Sequence, residues 1–585
     1  MNSRGPQGAM EEARVRAPKP FARLVRHCIG RVMHGADGSD AGELDVGIGA
    51  MLALLAAPGA FAALFLADKY GSLFLFLRGQ PPVNGYVASL SDEYFFIVVA
   101  MVVAGAVAIW KWDALIPGRR DYVNLAPLPI PAQHILYANL MALVLLAAIL
   151  ALDVNAASSV IFPLMVGNAA PSFEYVAVFF GTHLLAVVLA SVFSFFFVLA
   201  ILGSMMAVLP YRLFRRCSVY VRCAMIVFLM AMLSTSLAMA KIVQHPSPSS
   251  RALVQLAPPA WFAGLCQHMR SLPDPQFATL AKIAVASVVA VLVFALGAYG
   301  LSYRRCFTHS SESIANFATV GGAVRRGRLH RATDLFLRSP FERACFSFTL
   351  KTLFRSENHT LIVGGFTGIG IVLASETMFR SSTGRASGLP SVVLLSIPLI
   401  VIYFLLLGIR FSFEVPVMLR ANWIFRLRTN PDANECVGLA RKIMLTFLAP
   451  LLAAVLLLYG FRSGWRIGLI HAAIVAAVSI LLIEILLVRL RKIPFTCSVP
   501  HFKSNVLVSV FFYVLGFVLF TSWVPTAEEW AFRNPLLYVP LTAAVAAIWL
   551  ALERYRGELT FVDKRLIFEE QPDVAVEKLD LTFSR

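Results

Sequence analysis

The sequence predicts an all-α integral membrane protein with about twelve transmembrane helices in two six-helix halves, both termini lying in the cytoplasm. Of its 585 residues 58% are hydrophobic and 14% charged, and the apolar residues gather in runs long enough to cross ~30 Å of hydrocarbon as helix. The alternating segments of about ten residues that a transmembrane barrel requires do not recur. With the N-terminus inside, cytoplasmic segments hold about 38 Lys/Arg and external loops about nine, as the positive-inside rule demands of an even number of spans. The net charge of +18 is therefore read as cytoplasmic loop charge, and no nucleic-acid partner is expected.

The first 45 residues mix seven Lys/Arg with six Asp/Glu and hold no short apolar run near the start. A cleaved signal is thus not expected, and the first span acts as its own insertion signal. Within this tail, residues 20–34 are expected to form an interfacial amphipathic helix. Phe21, Leu24, Val25, Cys28, Ile29 and Val32 share one face, Arg23, Arg26, His27 and Arg31 take the other, and Pro20 suits the first turn.

The first membrane half, 46–301, holds apolar windows at 46–66, 94–112, 134–152, 175–207, 219–242 and 279–301. A basic cytoplasmic linker, 302–358, follows. The second half, 359–552, holds windows at 359–378, 391–412, 442–460, 467–488, 506–523 and 535–552. In the C-tail, 553–585, "GELTFVDKRLIF" fits a short hairpin or a partly disordered segment. Seven cysteines (Cys28, Cys217, Cys223, Cys306, Cys345, Cys436 and Cys497) fall in or next to cytoplasmic segments and only Cys266 lies outside, so no disulfide is expected within the outer face. Their spacing is not that of a zinc ribbon, and no metal site is expected.

The two halves share signs of duplication. "PFAR" at 20–23 returns as "PFER" at 340–343, followed by Cys345, Phe348 and Thr352 as a second interfacial helix in the linker. The loop after the second span of each half is also related: aligning Pro129 with Pro431 brings Ala138 onto Ala440. Six spans followed by six place both halves in the same orientation, a parallel repeat of the kind transporters use.

The loop between the second and third spans, "DALIPGRRDYVNLAPLPIPAQ", interrupts the apolar chain with Arg119, Arg120, Asp121 and four prolines. Pro127, Pro129 and Pro131 stop a helix and are expected to hold the chain extended until the third span starts at Gln133 or His134. The result is a stiff cytoplasmic elbow, which serves either as a contact for another protein or as a plain turn with interfacial arginines.

The pattern LxPLPIPxxxILxxxL from Leu125 to Leu140, behind an interfacial helix in a six-span unit, resembles the permeases of type 2 ABC transporters, the exporter class. The resemblance implies that this loop carries the coupling helix that touches a separate ATPase subunit, and that helix 20–34 is the connecting helix. It implies an ATPase contact at or beside Arg119, Arg120, Asp121, Leu128 and Pro129, with Arg420, Asn422, Trp423 and Arg426 as second-half equivalents. It further implies a bacterial inner-membrane exporter, with a lipid-like, peptide or drug-like substrate. Membrane lipids are its other expected partner, and a homodimer is compatible with it.

No GxxxxGK[ST] occurs, so ATP is expected to act through the partner subunit, with no cofactor in this chain. HExxH and GxSxG are missing too, and an enzyme is not expected. "GGFTGIG" at 364–370 places small residues at four-residue spacing in an apolar span, which is read as close helix packing. The intramembrane polar candidates are His183, His471 and Glu484, the last within reach of Arg489 or Arg491. Their scarcity favours energy from outside over an ion relay. The rivals are an ion-coupled secondary transporter, a membrane enzyme acting on lipid-linked substrates at the acidic grouping of Asp68, Asp92 and Glu93, and a scaffold that docks partners on the linker.

Overall fold

The computed structural model describes residues 20–34, 55–61, 63, 69, 89–115, 125, 127–167, 173–244, 250–270, 275–316, 340–381, 390–416, 433–488, 490, 493–496 and 506–562. Among these residues the regular structure is all helix, with no strand. The helices are α1 Pro20–His34, α2 Leu90–Trp110, α3 Ala132–Gly167, α4 Phe173–Val208, α5 Tyr211–Ser234, α6 Ser236–Gln244, α7 Arg251–Leu256, α8 Pro258–Met269 and α9 Pro275–Asn316. They continue with α10 Pro340–Arg355, α11 Glu357–Ser381, α12 Val392–Ser412, α13 Ala433–Ser463, α14 Trp465–Leu487, α15 Val506–Val518, α16 Val524–Arg533 and α17 Tyr538–Val562. A π-helical turn, Leu519–Trp523, joins α15 to α16.

Eleven described helical stretches are long and apolar enough to cross a membrane. They coincide with eleven of the twelve expected windows. Of the remaining window, 46–66, residues 55–61 and 63 are described, and they are helical.

Three expectations are corrected. The third span does not stop at 152: α3 has 36 residues, about 54 Å at 1.5 Å per residue, and Asn155 of its polar stretch is bonded inside the bundle. There Asn155 donates to Ser191 Oγ of α4 at 2.8 Å and to the Ala151 carbonyl at 2.7 Å. The fifth span ends at Ser234, not 242; the short helix α6 takes up the rest of its expected window, and the expected loop holds the short helices α7 and α8, the latter opened by Pro258 and Pro259. In the C-tail, residues 557–562 continue α17 as helix and form no hairpin.

The chain divides into two compact units, Met1–Ser218 with Phe228–Gly322, and Val219–Val227 with Ala323–Arg585. In the first, α4 is central. It packs on α2, α3, α8 and α9, burying Phe179, Ala186, Val187, Ala190 and Phe196. Ser194 of α4 donates to the Met101 carbonyl of α2 at 2.7 Å, a polar link of the kind that joins helices where lipid supplies no hydrophobic drive. In the second unit α12 packs along α11 and α14. Here the "GGFTGIG" stretch does pack closely: a Cβ on Gly370 would meet Phe404 Cβ at 3.0 Å and Val401 Cα at 3.3 Å.

Several packings recur in both units. The amphipathic helix ahead of each half lies on the third span (α1 on α3, α10 on α13). The second span meets the fourth (α2 on α4, α12 on α14) and also a short helix that precedes the sixth (α2 on α8, α12 on α16).

Candidate functional site

The base of the first unit carries the elbow. Helix α1 turns Cys28 and Val32 onto α3 and leaves Arg23, Arg26 and His27 exposed, as its amphipathic pattern predicts. Arg31 Nη2 donates to Asn139 Oδ1 at 2.8 Å, Asn139 Nδ2 donates to Tyr299 Oη, and Tyr299 Oη donates to the Leu115 carbonyl at 2.8 Å. Beside this chain of bonds the prolines do not hold an extended strand. Leu128 N–H closes a turn on the Leu125 carbonyl at 3.2 Å, and Ile130 N–H returns to Leu128 at 2.7 Å. The turn pushes Pro127, Leu128 and Pro129 outward, leaving Leu128 46% exposed. Of the residues expected at the ATPase contact, Leu128 and Pro129 are among the described residues, and both are exposed. Arg119, Arg120, Asp121, Arg420, Asn422, Trp423 and Arg426 lie outside the described residues.

The corresponding base of the second unit is ionic. Glu342 of α10 pairs with Lys442 of α13. The register that sets Pro129 on Pro431 sets Asn139 on Arg441, and Arg441 pairs with Glu484, which also pairs with Arg556 of α17. Glu484 is thus held by Arg441 and Arg556; Arg489 and Arg491, its expected partners, lie outside the described residues. In both units a polar group about two turns into the helix of the third span links towards the sixth. The second unit adds a plug: Ile493–Thr496 is buried, with Phe495 ringed by Phe348, His359 and Phe413. Phe495 adopts φ +69°, a strain of about 1–3 kcal/mol for a bulky residue that its burial must offset.

A second polar cluster is buried in each unit. In the first, Glu93 of α2 is fully enclosed and takes a bidentate pair from Arg270, Nη1 at 3.0 Å and Nη2 at 2.8 Å. Gln267 Nε2 donates to it at 3.2 Å and Cys266 Sγ at 2.6 Å, while His183 Nδ1 of α4 stands 3.4 Å away. Arg270 also donates from Nε to Thr182 Oγ1 at 3.0 Å and lies over the Phe179 ring at 3.8 Å. Arg270 supplies the positive charge that balances Glu93, so this carboxylate is committed to structure. Burial, and next the Glu93 charge, push the Cys266 thiol well above the ordinary range. Asp92 turns the other way, to Lys69 at 2.6 Å. The neighbouring acids Asp92 and Glu93 thus do not make an acidic pair; Asp68 lies outside the described residues.

In the second unit His471 of α14 is fully buried and its Nδ1 meets both oxygens of Glu528 of α16, at 2.8 and 3.0 Å. The Tyr459 ring lies against it, 4.3 Å between centroids. His183 and His471 occupy matching places: each sits on the fourth span of its half, eight residues before a buried serine, in "HLLAVVLAS" 183–191 and "HAAIVAAVS" 471–479. In both units the cluster joins the fourth span to the segment ahead of the sixth. The carboxylate comes from the second span in one and from the short helix in the other.

Fold and sites together define a multi-pass helical membrane protein with a polar clip in each half and an exposed proline elbow at the base of the first. No protein-family model, curated protein or solved structure matches this chain.

Proposed function

We propose that this chain is the membrane-spanning permease of an ABC-type exporter, driven by a separate ATPase that docks on its cytoplasmic loops. The reading is supported above all by the base of the first unit, where an amphipathic helix is hydrogen-bonded to the start of the third span beside an outward-facing Pro-Leu-Pro elbow. This is the arrangement the type 2 permease resemblance implies for a connecting helix and a coupling loop. The commitment of Glu93 to Arg270 and of Glu484 to Arg441 and Arg556 agrees with energy supplied from outside the chain. On this reading the termini are cytoplasmic, the membrane is a bacterial inner membrane, and the cargo is lipid-like, peptide or drug-like. The recurrence of the packings and of the two histidines supports reading the halves as a duplicated permease, and hence as two docking places for ATPase.

The test is affinity capture of detergent-solubilised protein from native membranes, comparing wild type with Leu128→Asp and with Arg119→Glu/Arg120→Glu. A P-loop ATPase recovered with wild type and lost with both variants is expected. If wild type brings down no ATPase, the reading fails.

One observation favours a second reading, ion-coupled transport: His471 and Glu528 form a buried pair in which no arginine or lysine bonds the carboxylate among the described residues. Gradient-driven transport by reconstituted protein without ATP, abolished by Glu528→Gln, would put that reading first.

A further inference from the structure

We infer that Asn139 and Tyr299 are positioning residues that lock the elbow to the sixth span of the first half; their part in coupling, though not their geometry, rests on the permease reading. The bonding admits one assignment. Arg31 can only donate, so Asn139 turns Oδ1 towards it and is left with Nδ2 for Tyr299. Tyr299 Oη, having accepted that bond, gives its single proton to the Leu115 carbonyl at 2.8 Å. Four pieces of the unit meet in this chain: α1, the first turns of α3, the middle of α9 and the segment after α2. Leu115 and Asn139 flank the elbow in sequence, one before it and one after it. Both are buried, as is Tyr299.

The sixth span is itself fixed at this level. The backbone of α4 approaches α9 so closely at Gly203 that an added Cβ would lie 3.0 Å from Tyr299 N and 3.1 Å from Ala298 Cβ. Tyr299 therefore follows the central helix of the unit. A movement of Tyr299 by about 1 Å directly away from Leu115 stretches that 2.8 Å bond beyond hydrogen-bonding range. The place of the sixth span is read at the elbow through one phenol oxygen.

Hydrogen exchange on the full-length protein tests the lock, with wild type and Tyr299→Phe compared in the same detergent. Tyr299→Phe keeps the ring and removes the bonds. Amides within 125–140 are expected to exchange at least about fivefold faster, while those of 150–162 on the same helix keep their rates. Recovery of the co-purifying ATPase is expected to fall in parallel. Arg31→Ala, at the half-exposed end of the chain of bonds, serves as a second variant should Tyr299→Phe not fold. Wild-type exchange in 125–140 for a folded variant would overturn the lock. Faster exchange with undiminished ATPase recovery would overturn its role in coupling. Faster exchange in a protein whose wild type recovers no ATPase would support the lock and overturn the permease reading.

Discussion

Replacing Arg270 by methionine keeps a long side chain on the segment ahead of the sixth span but strips Glu93 of its counter-charge. Glu93 and the Arg270 side chain are both fully buried, and the two bonds between them, at 3.0 and 2.8 Å, are the charged part of the cluster. Removing one partner of such a pair typically costs about 3–5 kcal/mol, because the other is left as an uncompensated buried charge. At about 2 °C per kcal/mol for a unit of this size, the melting midpoint should fall by about 6–10 °C. Glu93→Gln/Arg270→Met removes both charges while leaving an amide for Gln267 and Cys266 to bond, and should recover most of the loss. The assay is thermal unfolding in detergent, followed by a thiol-reactive dye that reports exposure of buried Cys28, Cys266, Cys345 and Cys436. A single variant that melts within about 2 °C of wild type, or a double variant no better than the single, would refute the claim that this pair holds α2 and the pre-sixth segment together.

Other outcomes follow from the same geometry. Cys266, buried and raised by the Glu93 charge, should resist maleimide at pH 8 in the folded protein while half-buried Cys217 is labelled, as peptide mass mapping would report. His471→Ala and Glu528→Gln should each lower the melting midpoint, and in combination by less than their sum, with a coupling of about 1–3 kcal/mol in a double-mutant cycle. Gly408→Val should destabilise the second unit by about 1–3 kcal/mol, since even a Cβ would stand 2.8 Å from Phe366 Cβ and 3.4 Å from Val363 Cα. Leu128→Asp should leave the melting midpoint within about 1 °C of wild type, because this side chain is largely exposed.

The spans were legible because a run of apolar residues states its own solvent, and α1 was legible because its charges keep to one face. What hydropathy cannot state is pairing. Glu93 reads as an interfacial carboxylate beside Asp92, and nothing local says that one of the two turns inward. Its partner, Arg270, stands 177 residues away in what reads as an ordinary outer loop. Glu528 is hidden in the same way, by the break between the last two spans. One signal was present: the histidine eight residues ahead of a serine on the fourth span of each half, which pairs His183 with His471. The register read from Pro129 and Pro431 likewise leads to Asn139 and Arg441, although the two make different bonds. The elbow was misjudged as extended because proline forbids helix without forbidding a turn, and Leu125 and Leu128 close one.

The separation of Glu93 from Arg270 also orders events at the ribosome. At about 5–20 residues per second, Arg270 is made some 9–35 s after Glu93, 177 residues earlier in the chain. Throughout that interval Glu93, in the first turn of its span, has no Arg270 to balance it. The first half can therefore close only after most of it has been synthesised, which gives membrane quality control a defined window in which an unfinished chain differs from a finished one.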